Sequence, residues 1–171
     1  MTRIAVLVGL LISCAPARQP AVSPPAPSAL AALEATRDLD GVVVGAAPAK
    51  TTIVVLFASW CTHCRAELAT LDAIRASHPQ LRILGVNYKG HEEYDHRGNA
   101  AAVRAYVAAN AAWLRVVPCD DGLFSTLGSP PKIPTLFVYD AQGKLVETYD
   151  RRDRPEPTAG DLEPLLRRLG V

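Results

Sequence analysis

Two cysteines separated by two residues, Cys61 and Cys64, stand in the stretch Trp60-Cys61-Thr62-His63-Cys64, directly after the apolar run Ile53 to Ala58. That placement puts them where a strand runs out and a helix begins. The first turn of a helix presents unpaired backbone N–H groups and the positive end of the helix dipole. A thiolate there is stabilised, and its pKa falls from about 8.5 to between about 3.5 and about 7.5. Cys61, nearer the helix start, is the expected attacking sulfur, and Cys64, one turn on and turned inward, the resolving one. His63 between them can donate to, or charge-stabilise, a Cys61 thiolate, which favours the reduced protein and makes the disulfide more oxidising.

Other uses of the pair fit less well. Structural zinc wants four ligands, usually from two such pairs, and no second pair exists. Covalent c-type haem attachment needs His directly after the second cysteine, where Arg65 stands. A purely structural disulfide across so tight a loop would contribute little chain-entropy stabilisation. The spacing therefore points to a redox couple, with no metal and no cofactor beyond its own disulfide. Two soft thiolates with a nearby histidine also suit copper(I), so a tethered copper-binding metallochaperone stays open as an alternative. A thiol peroxidase is weaker, because the position three before Cys61 is Ala58 rather than Thr or Ser.

The elements that must hold this pair are legible as patterns. Ile53 to Phe57 is a continuous apolar run, expected as a strand buried on both faces. Thr62 to Ser77 reads as a helix, with Leu68, Leu71 and Ile74 at three- and four-residue spacing and Pro79 beyond its end. Leu30 to Arg37 has helix-forming composition, and Val42 to Val44 is a short β-branched run. Leu81 to Tyr88 reads as a second buried strand. Ala100 to Ala111 is expected as a helix with Val103, Tyr106 and Val107 on one face. Leu114 to Val117 is a short strand stopped by Pro118, and Leu123 to Leu127 a single helical turn. Thr135 to Tyr139 and Leu145 to Tyr149 flank Asp140-Ala141-Gln142-Gly143 as a hairpin. Leu162 to Leu169 closes the chain as a helix. This order predicts a mixed sheet between helices, its first strands parallel and its last antiparallel. Lys89 to Asn99 carries His91, Glu92, Glu93, Asp95 and His96 and reads as a solvated polar loop, with a partner or metal contact as its other use.

The whole chain has 171 residues, 49% hydrophobic and 20% charged, with 18 basic and 17 acidic side chains and a formal net charge of +1. That suits one globular domain with appendages and supplies no basic field for nucleic acid. At the amino end Arg3 precedes the apolar run Ile4 to Ile12, too short to span a bilayer. Leu11-Ile12-Ser13-Cys14 resembles the lipobox of bacterial lipoproteins, so residues 1–14 are expected to be a signal peptide ending in a lipidated Cys14; a plain signal peptide is the alternative. Residues 15–28, rich in Pro and Ala, follow as a stiff tether. Either reading exports the remaining domain, residues 29–171, to the cell envelope or periplasm, an oxidising compartment. Of the four cysteines this leaves Cys119, expected as a partly buried free thiol.

Three motifs in order carry a resemblance: Val54 through Cys64, Leu84-Gly85-Val86-Asn87, and Ile133-Pro134-Thr135-Leu136-Phe137-Val138-Tyr139-Asp140 followed by Gly143. Together they resemble the thioredoxin superfamily, in particular its TlpA/ResA-like exported thiol–disulfide oxidoreductases, over roughly Asp38 to Val171. The resemblance implies an α/β three-layer sandwich, a central mixed sheet with helices on both faces. It implies a cis bond between Ile133 and Pro134 beside the cysteines, with Trp60, Ile133 and Pro134 meeting an extended substrate. It also places Glu67, three residues after Cys64, near the site as a proton relay or tuner of Cys64. Two departures stand out: Val55 occupies the position of thioredoxin's buried carboxylate, and Ala69 that of a helix-kinking proline. Members of this branch mostly reduce particular disulfides, as in cytochrome c maturation, whereas the histidine in the gap resembles strong oxidants. The chain is therefore expected to exchange thiols with protein disulfides, leaning to reduction, with an oxidant-type exchanger as alternative. A membrane redox partner is expected to recycle the pair.

Overall fold

The strand that leads into the cysteine pair, β1 (Thr52–Leu56), is buried at every residue, which is why its sequence shows no polar alternation. The computed structural model describes residues 28–47, 50–152 and 155–171. The proposed signal peptide, and all of the proposed tether except Ser28, lie outside them. Ser28 itself caps helix α1 (Ala29–Ala35), its Oγ accepting from Ala31 N. No helix among the described residues is long and apolar enough to cross a membrane.

After β1 come α2 (Thr62–Ser77), β2 (Arg82–Tyr88), a single turn α3 (Lys89–Glu92) continued by a 3₁₀ turn at Tyr94–His96, α4 (Ala100–Asn110), β3 (Arg115–Cys119), α5 (Asp121–Thr126), β4 (Thr135–Tyr139), β5 (Leu145–Asp150) and α6 (Ala159–Arg168). The strands form one sheet in the order β3-β2-β1-β4-β5. β1 runs parallel to β2 and β2 to β3, while β4 is antiparallel to both β1 and β5. The pleat divides β1 between two cores. Ile53, Val55 and Phe57 pack with Leu68, Leu71 and Ile74 of α2, Val103 of α4 and Leu162 and Leu166 of α6. Val54 and Leu56 face the opposite side with Leu30 and Leu33 of α1 and Leu123, Phe124 and Leu127 around α5. The result is helix, sheet, helix. At the centre Gly85 admits the close approach of its neighbours: a Cβ there would lie 2.8 Å from Leu114 Cδ2.

Three details differ from the sequence reading. β3 does not stop before Pro118 but runs through it to Cys119, because β3 is an edge strand and the missing N–H has no ladder bond to lose. Val42 to Val44 forms no strand beyond one bridge between Arg37 and Val43. That segment is held from below by Arg115, whose guanidinium contacts Asp38 Oδ2 at 2.7 Å and donates to the carbonyls of Val43 and Val44, each at 2.9 Å. Lys89 to Asn99 is not a solvated loop throughout: it folds into α3 and the 3₁₀ turn, and it buries Glu92.

Candidate active site

Cys61 is the N-cap of α2. Its backbone is extended (φ −78°, ψ 113°), and its Sγ accepts from Cys64 N at 3.1 Å. The sulfur thus takes the place that a serine or aspartate oxygen fills in most helices, facing the unpaired amides of the first turn. Cys61 and Cys64 are joined as a disulfide, with Cα atoms 5.2 Å apart. Both are largely covered, Cys61 at 5% exposure and Cys64 at 1%, so the outer sulfur is the one nearer the helix start. The Ile133–Pro134 peptide is cis. Arg151 Nη1 donates to the Ile133 carbonyl at 3.1 Å.

Two acidic side chains are buried around the pair. Glu67 lies one turn beyond Cys64 on the inward face of α2 and is 2% exposed; its Oε1 has no hydrogen-bond partner among the described residues. Burial, with the Glu156 charge adding to it, pushes its carboxyl up to about 7. A buried acid is therefore present although Val55 stands where thioredoxin keeps one. The second, Glu92, is also 2% exposed. It accepts from Ser59 N and Asn87 Nδ2, each at 2.8 Å, and from Ser59 Oγ. Its own carbonyl accepts from Trp60 Nε1 at 2.9 Å. Asn87 also donates to Phe57 O at 3.1 Å. Glu92 thereby ties together the last residues before the cysteines. Gly98 passes directly over this carboxylate, where any Cβ would collide with Oε1.

The His63 imidazole has a carboxylate partner. Its Nδ1 contacts Glu156 Oε1 at 2.8 Å, and the same oxygen lies 2.9 Å from Arg151 Nε. A cavity of about 380 Å³ opens over Cys61, walled by Trp60, His63, Arg97, Ile133 and Arg151. The Arg97 guanidinium carbon sits 5.0 Å above the Trp60 ring. One cavity thus joins Trp60, Cys61, His63 and Ile133; Cys64 is bonded to Cys61, Glu67 follows it on α2, and Pro134 follows Ile133 in the chain.

The remaining singled-out groups lie apart. Cys119 is a free, buried thiol, and burial, helped by Asp120 and Asp121, pushes it up to about 12. His91 packs edge-on against Tyr88 and Phe124, each with centroids 5.3 Å away, and burial lowers its pKa. His96 is exposed. Reading the sequence placed Glu92 in a solvated polar loop and did not single out Arg97, Arg151 or Glu156. One signal for Glu92 was present: Ser59 and Asn87 end two adjacent apolar strands, and their donors need a buried acceptor.

Sheet order, helix placement and the cysteine pair at the start of α2 define the thioredoxin-like fold. The chain is similar to a secreted Mycobacterium tuberculosis disulfide oxidoreductase described as homologous to E. coli DsbE, at 19% identity over 79% of this chain and 92% of that one, with a TM-score of 0.58. It is similar to StoA from Bacillus subtilis, at 22% identity over 77% and 93% of the respective chains, with a TM-score of 0.60. A thioredoxin-like protein from Aeropyrum pernix aligns at 15% identity over 78% and 87%, with a TM-score of 0.65. No protein-family model and no curated protein sequence matches the chain.

Proposed function

We propose that this protein is an exported thiol–disulfide oxidoreductase that reduces disulfides in polypeptides. The observation that carries the reading is the Cys61–Cys64 disulfide at the cap of α2, beneath a cavity that Trp60 and Ile133 help to wall. In the reduced protein, the Cys61 thiolate attacks one sulfur of a substrate disulfide. A mixed disulfide forms, and the other substrate sulfur leaves as a thiolate. Cys64 then gives its proton to the Glu67 carboxylate and attacks Cys61 Sγ, which closes the Cys61–Cys64 bond and releases the second substrate thiolate. Two electrons pass from protein to substrate, and a membrane redox partner restores the dithiol.

Charge supports the reducing direction. An oxidant of this kind stabilises its thiolate, and His63 is the residue in the gap that would do so; here the imidazole contacts Glu156. Glu67 and Glu156 both place negative charge near the pair when ionised, which disfavours a thiolate and with it the reduced form. Export rests on the amino-terminal pattern ending at Cys14 and on the tether through residue 28, with Cys14 carrying the lipid.

Trapping tests the activity. Cys64→Ser protein, expressed with its own leader, should accumulate covalent complexes with envelope proteins that dithiothreitol releases, and Cys61→Ser should not. A Cys64→Ser variant that traps nothing would remove the basis of the reading. A reduction potential above about −150 mV would reverse the direction while leaving the exchange chemistry in place.

A further inference from the structure

We propose that the mouth over Cys61 selects polypeptide disulfides flanked by carboxylates, an inference that rests on the exchange activity proposed above. The cavity is walled by His63, Arg97 and Arg151, and among the described residues no Asp or Glu lines it. Exposed Asp95 and Glu93 share the segment that carries Arg97 but do not line the cavity, and three further acids are engaged or buried. Glu156 contacts both His63 and Arg151. Glu67 and Glu92 are buried, and Glu92 is the acceptor for Ser59 and Asn87.

Arg97 has no ion-pair partner among the described residues, and it is held in place all the same. Its guanidinium lies over the Trp60 ring. Trp60 is fixed in turn through Nε1 to the carbonyls of His91 and Glu92, at 3.2 and 2.9 Å. The two residues before Arg97, Asp95 and His96, both adopt positive φ, 53° and 58°, a region that side-chain-bearing residues visit rarely. Anchored by Glu92, this segment sets an unneutralised cation at the lip beside Cys61.

Arg151 adds a second element. Its Nη1 occupies the Ile133 carbonyl, the group that an extended peptide would use to pair alongside the cis proline. A carboxylate is a stronger acceptor for guanidinium than a neutral carbonyl. An acidic residue beside the substrate cystine therefore competes for Arg151 and frees that carbonyl for the peptide backbone. A basic flank does neither and is repelled by Arg97.

The test uses the reduced full chain and three peptides with one internal disulfide, alike except for Glu, Gln or Lys on either side of it. The second-order rate constants for disulfide reduction should fall in that order, by about threefold or more at each step, the size expected of one or two partly exposed charge pairs. The spread should shrink in about 1 M salt, where the Debye length is about 3 Å. Arg97→Gln, an exposed substitution that keeps the fold, should compress the Glu-to-Lys ratio by about threefold. Equal rates for all three peptides would overturn the charge preference and leave the exchange activity standing. An unchanged ratio in Arg97→Gln would overturn the role given to Arg97. Failure to reduce any of the peptides would remove the activity and the preference together.

Discussion

Glu67 is a carboxylate kept at 2% exposure with one oxygen unpartnered, and its pKa rises from 4.5 to about 7. The folded protein therefore binds a proton that the unfolded chain has lost between these values, so the contribution of Glu67 to stability is fully present below 4.5 and is lost as pH rises toward about 7. The full effect is about 3 kcal/mol. Urea unfolding of the oxidised protein at pH 5 and pH 8 should show this loss, and Glu67→Gln should flatten it; an equal slope in the variant would place the titration elsewhere. Cys119 offers a contrast. A thiol pushed up to about 12 is almost wholly protonated at neutral pH. Iodoacetamide at pH 8 should label it only once the protein unfolds, while reduced Cys61 is labelled in the native state. At this scale the sequence revealed what is local. Cys61 and Cys64 announce themselves through neighbours a few residues away, and Pro134 only through the resemblance carried by three motifs, but Glu92 meets Ser59 across 33 positions, and no spacing rule reaches that far.

Among the elements, α3 is only one turn long, yet it determines how β1 delivers the cysteines. Glu92 supplies the acceptor for Ser59 N, Ser59 Oγ and Asn87 Nδ2 at the ends of β1 and β2. Glu92→Ala leaves Ser59 N and Ser59 Oγ buried without this acceptor and Asn87 Nδ2 with only the Phe57 carbonyl, and should cost about 3 to 5 kcal/mol. Urea unfolding measures that, and a red-shifted Trp60 emission should accompany it, because the carbonyls that hold Nε1 lie on the same turn. A loss below about 1 kcal/mol would mean that water satisfies the donors instead. The periodic elements were legible because burial writes itself into period: β1 is buried on both faces and uniformly apolar, and α2 begins and ends where its pattern does. The polar run after β2 was not legible, because composition marks it as exposed while a single buried acid organises it. Pro118 misled for a related reason. A proline ends a strand only where its N–H is needed, and which strand forms an edge is a property of the sheet.

Across the molecule, the amino-terminal segment is sewn to that edge. Leu39 N donates to Val116 O at 2.9 Å, and Arg115 gathers Asp38 with the carbonyls of Val42, Val43 and Val44. The outer edge of β3 is covered in this way and is withheld from pairing with other chains. Arg115→Ala should cost about 2 to 3 kcal/mol and speed amide exchange across residues 38–44 ahead of the rest of the sheet. Uniform acceleration would show that the segment opens only with global unfolding. The charge read from composition, +1 overall, described the whole molecule and concealed its unevenness: a nearly neutral protein places both Arg97 and Arg151 on the wall of the cavity over Cys61.

The sulfur of Cys61 is also the atom that closes the end of its own helix. Electron transfer and resistance to melting therefore belong to one thermodynamic cycle. Whichever redox form the intact protein favours, relative to the same four-residue ring in a denatured chain, is the form that survives to higher temperature. Two calorimetric scans, one with the ring closed and one with it open, would reveal the direction of electron flow without any substrate, and a donor of electrons should melt last when its ring is closed.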